Sequence, residues 1–76
     1  MEGSQKQDGL SYETAVVVNS VEEEYDWLEA NYPGFELIEQ GVYLHEGKPY
    51  DVVAIFPQDG AEISIHFDIS GFYGVD

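Results

Sequence analysis

The sequence predicts an α+β fold, in which one helix packs on a mainly antiparallel sheet within a single two-layer domain. Its C-terminal half alternates apolar and polar residues, which is typical of strands with one buried face. A stretch nearer the N-terminus has apolar residues at helical spacing instead. The chain has 76 residues, enough for one domain with a small core. We therefore expect the order β-α-β-β-β, with a mobile polar lead-in at 1–9 and the domain at 10–76.

The N-terminal half predicts a short strand and then the helix. Residues 15–18 are an alanine followed by three β-branched valines, which favours a strand. Ser20 and Glu23 have the spacing of a capping box, which predicts where the helix begins. Pro33 and Gly34 predict its end, because proline cannot continue a helix and glycine tolerates a left-handed cap. Four apolar residues at helical spacing predict the buried stripe: Val21, Tyr25, Leu28 and Tyr32.

The C-terminal half predicts a meander of three strands. In the first of them, the apolar residues change parity across 38–41, and a bulge near Gln40-Gly41 would bring both sets onto one face. Glu46-Gly47-Lys48 has the pattern of a three-residue hairpin loop. Asp59-Gly60 predicts a two-residue type I′ turn between the last two strands.

The Asp59-Gly60 turn fixes the register of the last two strands. It sets apolar residues opposite one another, and we expect the helix to cover the face that they form: Tyr50, Val52, Ala54, Phe56, Ile63, Ile65, Phe67 and Ile69. The opposite face would have no second layer. A partly apolar open face is a candidate binding surface, for which we expect Val53, Ile55, Ser64 and His66.

The same register predicts a candidate metal site. It places Asp51 opposite Asp68, with His66 beside them on the open face. Like charges across a sheet repel, and a cation would relieve that repulsion. Carboxylate oxygens and an imidazole form a plausible ligand set, although a solvated sheet face explains the same residues.

The charge of the chain favours a basic partner. Sixteen acidic residues and two lysines give a formal net charge of −14. We expect no direct binding to nucleic acid, because phosphate contacts need Lys and Arg. Trp27 would anchor a partner on the acidic surface of the helix, which we expect to contain Glu22, Glu23, Glu24, Asp26 and Glu29. Glu36 and Glu39 extend that surface.

The residues favour no reaction and no cofactor. Phosphate loops and metalloprotease motifs are lacking, and there is no cysteine. Ser64 or Ser70 with His66 and Asp68 would alternate along one strand, roughly 7 Å apart, which is too far for a nucleophile to bond its base. We name no catalytic residues; whether the protein is an enzyme stays uncertain, and the residues disfavour it.

Membrane insertion is not expected, because no apolar run approaches the ~20 residues of a span. No basic segment followed by an apolar one opens the chain, which predicts a cytoplasmic protein if the N-terminus is native. Since the core is small and there is no disulfide, homo-oligomerisation is one route to further burial.

Several short motifs resemble a group of small uncharacterised bacterial α+β proteins. They are Asp8-Gly9-Leu10-Ser11 before the run at 15–18, Tyr32-Pro33-Gly34, Gly47-Lys48-Pro49-Tyr50-Asp51-Val52, and the segment 67–74. The resemblance covers nearly the whole chain beyond the lead-in. It implies the α+β fold and no activity.

The sequence therefore predicts a non-catalytic acidic binding domain that uses its open sheet face or an edge strand. An acidic inhibitor or immunity-type protein is the first alternative; it would block a basic site, for example by mimicking nucleic acid. A metal-binding domain at Asp51, His66 and Asp68 is the second.

Overall fold

A computed structural model describes residues 7–74 and confirms the α+β fold with the order β-α-β-β-β. The elements are β1 (Val16–Val17), α1 (Val21–Asn31), β2 (Glu36–His45), β3 (Lys48–Phe56) and β4 (Ile63–Asp68). They form one mixed sheet in the order β1-β4-β3-β2, with α1 packed on one face. β1 pairs in parallel with β4, and the other pairs are antiparallel. α1 therefore carries the chain from one edge of the sheet to the other.

Most of the predicted lead-in, 1–6, lies outside the described residues. Gly9, its last residue, is buried beside β4. The carbonyl oxygen of Gly9 accepts a hydrogen bond from the backbone N–H of His66 at 2.6 Å, and its own N–H donates to Thr14 at 2.8 Å. The segment before β1 is thus tied to the sheet at this point.

The start and end of α1 are as predicted. Ser20 is the N-cap, and its Oγ accepts a hydrogen bond from the N–H of Glu23 at 3.2 Å. The Glu23 carboxylate accepts from the N–H of Asn19 at 2.8 Å, one residue earlier than a capping box requires. The helix ends at Asn31, just before Pro33.

The predicted buried stripe of α1 is partly wrong. Leu28 is fully buried, but Val21 is half-exposed, and the second buried residue is Glu24. Trp27, predicted to lie on the surface, is half-buried and packs edge-on against Phe67 with ring centroids 5.7 Å apart. The helix is therefore rotated about its axis relative to the expectation, which brings Glu24 and Trp27 toward the sheet.

β2 and β3 form a hairpin with two corrections. The predicted bulge exists, but it lies at Ile38, between the paired residues Leu37 and Glu39. The predicted three-residue loop is wrong, because His45 pairs with Lys48 across a two-residue turn. Glu46 and Gly47 both have positive φ, 52° and 80°, as a type I′ turn requires.

The predicted register of β3 and β4 is wrong by one residue. Val53 lies opposite Ile65, and Ile55 lies opposite Ile63. Six residues, 57–62, connect the two strands, so Asp59-Gly60 does not close a two-residue turn. Since side chains alternate between faces, this slip exchanges the two faces of β3.

The β3 side chains of the core are therefore those predicted to lie on the open face, whereas Ile65, Phe67 and Ile69 of the C-terminal part are buried as predicted. Val53 and Ile55 are fully buried, so their interpretation as an open binding surface is wrong. The register that forms buries two large β-branched side chains beneath α1, where the predicted one would have buried Val52 and Ala54. The buried apolar cluster comprises Val16, Val18, Leu28, Val53, Ile55, Ile65, Phe67 and Ile69.

Candidate functional site

Two carboxyl groups are buried where α1 crosses β3. Glu24 is one helical turn before Leu28 and faces the sheet with it. Asp51 shares the helix-facing side of β3 with Val53. Glu24 is 0% exposed and Asp51 is 4% exposed. Among the described residues, both oxygens of Glu24 and the Oδ1 of Asp51 have no hydrogen-bond donor.

A chain of hydrogen bonds connects this pair to β2. The Tyr25 hydroxyl donates to the Oε1 of Gln40 at 2.8 Å, and the Nε2 of Gln40 donates to the Oδ2 of Asp51 at 2.7 Å. The chain joins α1, β2 and β3 through side chains alone. It gives the helix a fixed contact with the edge strand at Gln40.

Burial explains how the carboxyl pair is tolerated. Three effects together raise the pKa of Glu24 to about 9. Desolvation is the largest, followed by a hydrogen bond to Asp51 and the charge of Asp51. Two ionised carboxylates are both acceptors, so neither can donate to the other. A proton on Glu24 makes it a donor to Asp51, and at neutral pH Glu24 is therefore uncharged.

The acidic surface of α1 is smaller than predicted. Glu24 is wrongly included in it, because its side chain is buried. Trp27 is not an exposed anchor, because its ring packs on Phe67. The remaining members are all exposed: Glu22, Glu23, Asp26 and Glu29.

The predicted metal site is not formed. Asp51 lies opposite Phe67, whereas Asp68 lies opposite Tyr50, so the two carboxyl groups point to opposite faces of the sheet. Among the described residues, no three His, Cys, Asp or Glu side chains are close enough to hold an ion together. The hypothesis fails because it depended on the register that placed Asp51 opposite Asp68.

Asp68 has its own partners on the face away from α1. Burial opposes its ionisation, but the N–H and hydroxyl of Ser70 and the ammonium of Lys48 outweigh that effect and lower its pKa. Its Oδ1 accepts from the Ser70 hydroxyl at 2.7 Å, and its Oδ2 lies 3.0 Å from the Lys48 Nζ. These bonds fix the end of β4 to the start of β3.

His66 belongs to an aromatic cluster that covers one end of the same face. Its Nδ1 donates to the carbonyl oxygen of Gly9 at 2.8 Å. The Tyr12 ring stacks on His45 at 4.1 Å and meets Tyr50 and His66 edge-on at 4.9 and 4.6 Å. His66 is half-buried, and its ring bonds the segment before β1 rather than Asp68 or Ser70. Ser64 remains exposed.

β2 carries the largest run of exposed apolar side chains. Leu37, Val42 and Leu44 pair with residues on the helix side of β3, yet they are 46%, 46% and 73% exposed, so α1 leaves these three side chains uncovered. On the other face of β2, Glu36, Glu39 and Tyr43 are exposed. We call these six side chains, together with the side of the β2 backbone that pairs with no other strand among residues 7–74, the β2 edge. The sequence pattern did not identify it, because alternation along β2 does not show how far α1 extends over the sheet.

Shallow pockets near the C-terminal end of α1 are weaker candidates for a functional site than the β2 edge. One, of about 470 Å³, is lined by Asn31, Tyr32, Pro33, Pro57, Gln58 and Asp59. Another, of about 320 Å³, shares Asn31 and Tyr32 with it. Asp59 is the one ionisable carboxyl in the first, and neither pocket contains the buried Glu24 or Asp51.

Comparisons with family models, curated proteins and solved structures found no match. The resemblance to small bacterial α+β proteins therefore stays a prediction. No helix within residues 7–74 is long and apolar enough to cross a membrane. The geometry of the β2 edge, rather than a relative, has to support any function.

Proposed function

We propose that this protein is a non-catalytic interaction domain that binds an extended segment of a partner protein along the β2 edge. The observation that carries the proposal is a ten-residue edge strand whose apolar side chains are exposed. The mode would be strand addition, in which the incoming segment continues the sheet by backbone hydrogen bonds.

β2 has the length for strand addition, and one side of its backbone pairs with no other strand of the described part of the chain. Ten residues extend over about 34 Å at the usual rise of a strand. β3 pairs with one side of β2, so every second residue directs its N–H and C=O to the open side. The bulge at Ile38 interrupts the ladder near its start. Residues 39–45 therefore form the uninterrupted part of the edge.

Residues 39–45 of β2 lack two of the features that usually protect an edge strand. Natural edges are shortened, or carry lysine or proline, to prevent pairing with other chains. Residues 39–45 contain neither lysine nor proline. The opposite edge of the sheet is β1, which is only two residues long. Strand addition is therefore favoured at β2 over β1.

The test begins with a displayed library of random ten-residue peptides, from which binders to the whole protein are selected. We expect binders to shift the backbone amide NMR signals of residues 39–45. Val42→Asp should weaken their binding at least tenfold. Val17→Asp is the matched control, because it adds the same charge at an exposed valine of β1, and it should change affinity less than twofold. Binders that shift mainly the signals of α1, or that respond equally to both variants, would refute the proposal.

A second candidate is an acidic inhibitor that blocks a basic site on a target. Four carboxylates are exposed on α1, and the one lysine among the described residues, Lys48, is bonded to Asp68. Binding of this kind would weaken steeply as ionic strength rises, whereas apolar docking on β2 would not. Joint replacement of Glu22, Glu23 and Glu29 by Gln would abolish such binding and leave strand addition at β2 intact.

A further inference from the structure

We propose that the segment bound at the β2 edge is amphipathic: its side chains on the helix side are apolar, and those on the other side are Lys or Arg. This inference rests on the proposed function and adds the chemistry of the partner. It follows from the different characters of the two faces of β2.

The helix side of the β2 edge is apolar. Leu37, Val42 and Leu44 lie on this side, and Leu44 is the most exposed of them at 73%. Side chains of an added strand would lie about 5 Å from their neighbours on β2. Apolar residues on this side of the incoming segment would bury these three side chains, at about 25 cal/mol for each Å² removed from water.

The other side of the β2 edge is acidic and aromatic. Glu36, Glu39 and Tyr43 lie on this side, and all three are exposed. Since successive residues of a strand point to opposite faces, the residues that alternate with the apolar ones would lie beside these carboxylates. Lys or Arg at these positions would pair with Glu36 and Glu39 and could lie over the Tyr43 ring.

The negative charge of the protein disfavours two other strands at the β2 edge, namely β2 of a second copy of the chain and an acidic segment of a partner. A second copy of the chain would bring another −14 of net charge toward the carboxylates of Glu36 and Glu39. Like charges opposite one another in a sheet are destabilising. An acidic segment would meet the same repulsion, so a basic one is favoured both at the edge and at long range.

Three synthetic ten-residue peptides test this chemistry on the whole protein. One alternates Lys with Val, one alternates Glu with Val, and one alternates Lys with Ser. We expect the Lys/Val peptide to bind at least tenfold more tightly than either of the others and to shift the amide signals of residues 39–45. Equal affinity of the Lys/Val and Glu/Val peptides, with both mapped to β2, would overturn the inference and leave strand addition standing. If no peptide shifts the β2 signals, the proposed function fails, and the inference fails with it.

A pair of double variants separates local pairing from general attraction. Glu36→Gln with Glu39→Gln removes the carboxylates of the β2 edge, and Glu22→Gln with Glu29→Gln removes two from α1. Both variants make the net charge of the protein less negative by the same amount. The first variant should bind the Lys/Val peptide about three- to tenfold more weakly than the native protein, in line with the loss of two exposed ion pairs. The second should change the affinity less than twofold. Equal weakening by the two variants would show that the overall charge, and not the β2 edge, holds the peptide, and would overturn the inference.

Discussion

Glu24 of α1 and Asp51 of β3 form a buried pair of carboxyl groups in which one proton takes the place of a cation. Three of their four oxygens have no donor among the described residues, and the fourth accepts from Gln40. An ionised carboxylate buried without a partner costs several kcal/mol, so the pair is tolerable only when Glu24 is protonated. Folding therefore takes up a proton at neutral pH.

The first prediction concerns the stability of the fold against pH. The pKa of Glu24 rises from 4.5 to about 9 on folding, so its contribution is fully present below about pH 4.5 and is lost as pH rises through 9. One proton corresponds to a fall in the free energy of unfolding of about 1.4 kcal/mol per pH unit between those values. Urea unfolding at pH 5.5, 7 and 8.5 measures it, and stability that rises over this range would contradict the buried proton.

Asp68 affects the stability of the fold in a lower pH range than Glu24, so it does not obscure this measurement. Its pKa is lowered from 3.8, so its contribution is present above that value and is lost as pH falls below it. The two groups therefore have opposite signs. Above about pH 5 the slope reports Glu24, together with the general repulsion of a highly acidic chain.

The second prediction isolates Glu24 from that general repulsion. Glu24→Gln keeps the shape and supplies a permanent N–H donor to Asp51, so no proton has to be taken up. At pH 7, about 2.5 units above the unfolded value, the variant should be more stable than the native chain by about 3 kcal/mol. Its stability should also fall less with pH, which the same urea series measures.

Glu22→Gln is the matched control, because it removes the same charge from an exposed position of α1. It should change the free energy of unfolding by less than about 0.5 kcal/mol and leave the pH slope nearly unchanged. If Glu22→Gln and Glu24→Gln stabilise the fold equally, the effect comes from net charge and Glu24 is not buried.

The run Glu22-Glu23-Glu24 shows what the sequence could and could not predict about this site. Ser20 and the acidic first turn correctly predicted the start of α1, because capping and dipole effects are local. The same acidic run hid Glu24, since it suits a solvated face. The one signal that could have found it is its spacing of four residues from Leu28, which places both on the same face of the helix.

The order of elements was predictable, whereas the register of β3 and β4 was not. Residues 52–56 are apolar at both parities, so alternation alone could not choose the buried face. The register also decided the metal hypothesis and the open-face hypothesis, both of which failed with it. One residue of slip thus exchanged the buried and accessible side chains of β3, while Ile65 and Phe67 of β4 are buried as predicted.

The third prediction compares two neighbouring valines of β3 and tests this register directly. Val53 is fully buried beneath α1, and Val52 is half-buried on the opposite face. Val53→Ala should lower the free energy of unfolding by about 2 kcal/mol, because it removes buried methyl groups and leaves a cavity. Val52→Ala should cost less than about 1 kcal/mol. Chemical denaturation measures both, and the reverse order would restore the register in which Val52 faces the helix.

The two candidate hairpin turns explain the wrong register. Asp59-Gly60 is a favoured type I′ pair, and Glu46-Gly47 is not. Pro57 precedes the first pair and has no N–H for the ladder, and the connection lengthens to residues 57–62. The preference of a sequence for a turn is a local effect, and here the burial of Val53 and Ile55 outweighs it.

The fourth prediction separates these turns by one substitution in each. Gly47 has φ of 80°, which a residue with a Cβ adopts only with strain, so Gly47→Ala should destabilise the fold by about 1 kcal/mol. Gly60 lies outside the left-handed region, and a Cβ added there would meet Pro57 at an ordinary 3.8 Å. Gly60→Ala should therefore be neutral or stabilise by up to about 1 kcal/mol, because alanine restricts the unfolded chain. Thermal unfolding of the two variants measures the difference, and a large loss at Gly60 with none at Gly47 would show that the tight turn lies at Asp59-Gly60 after all.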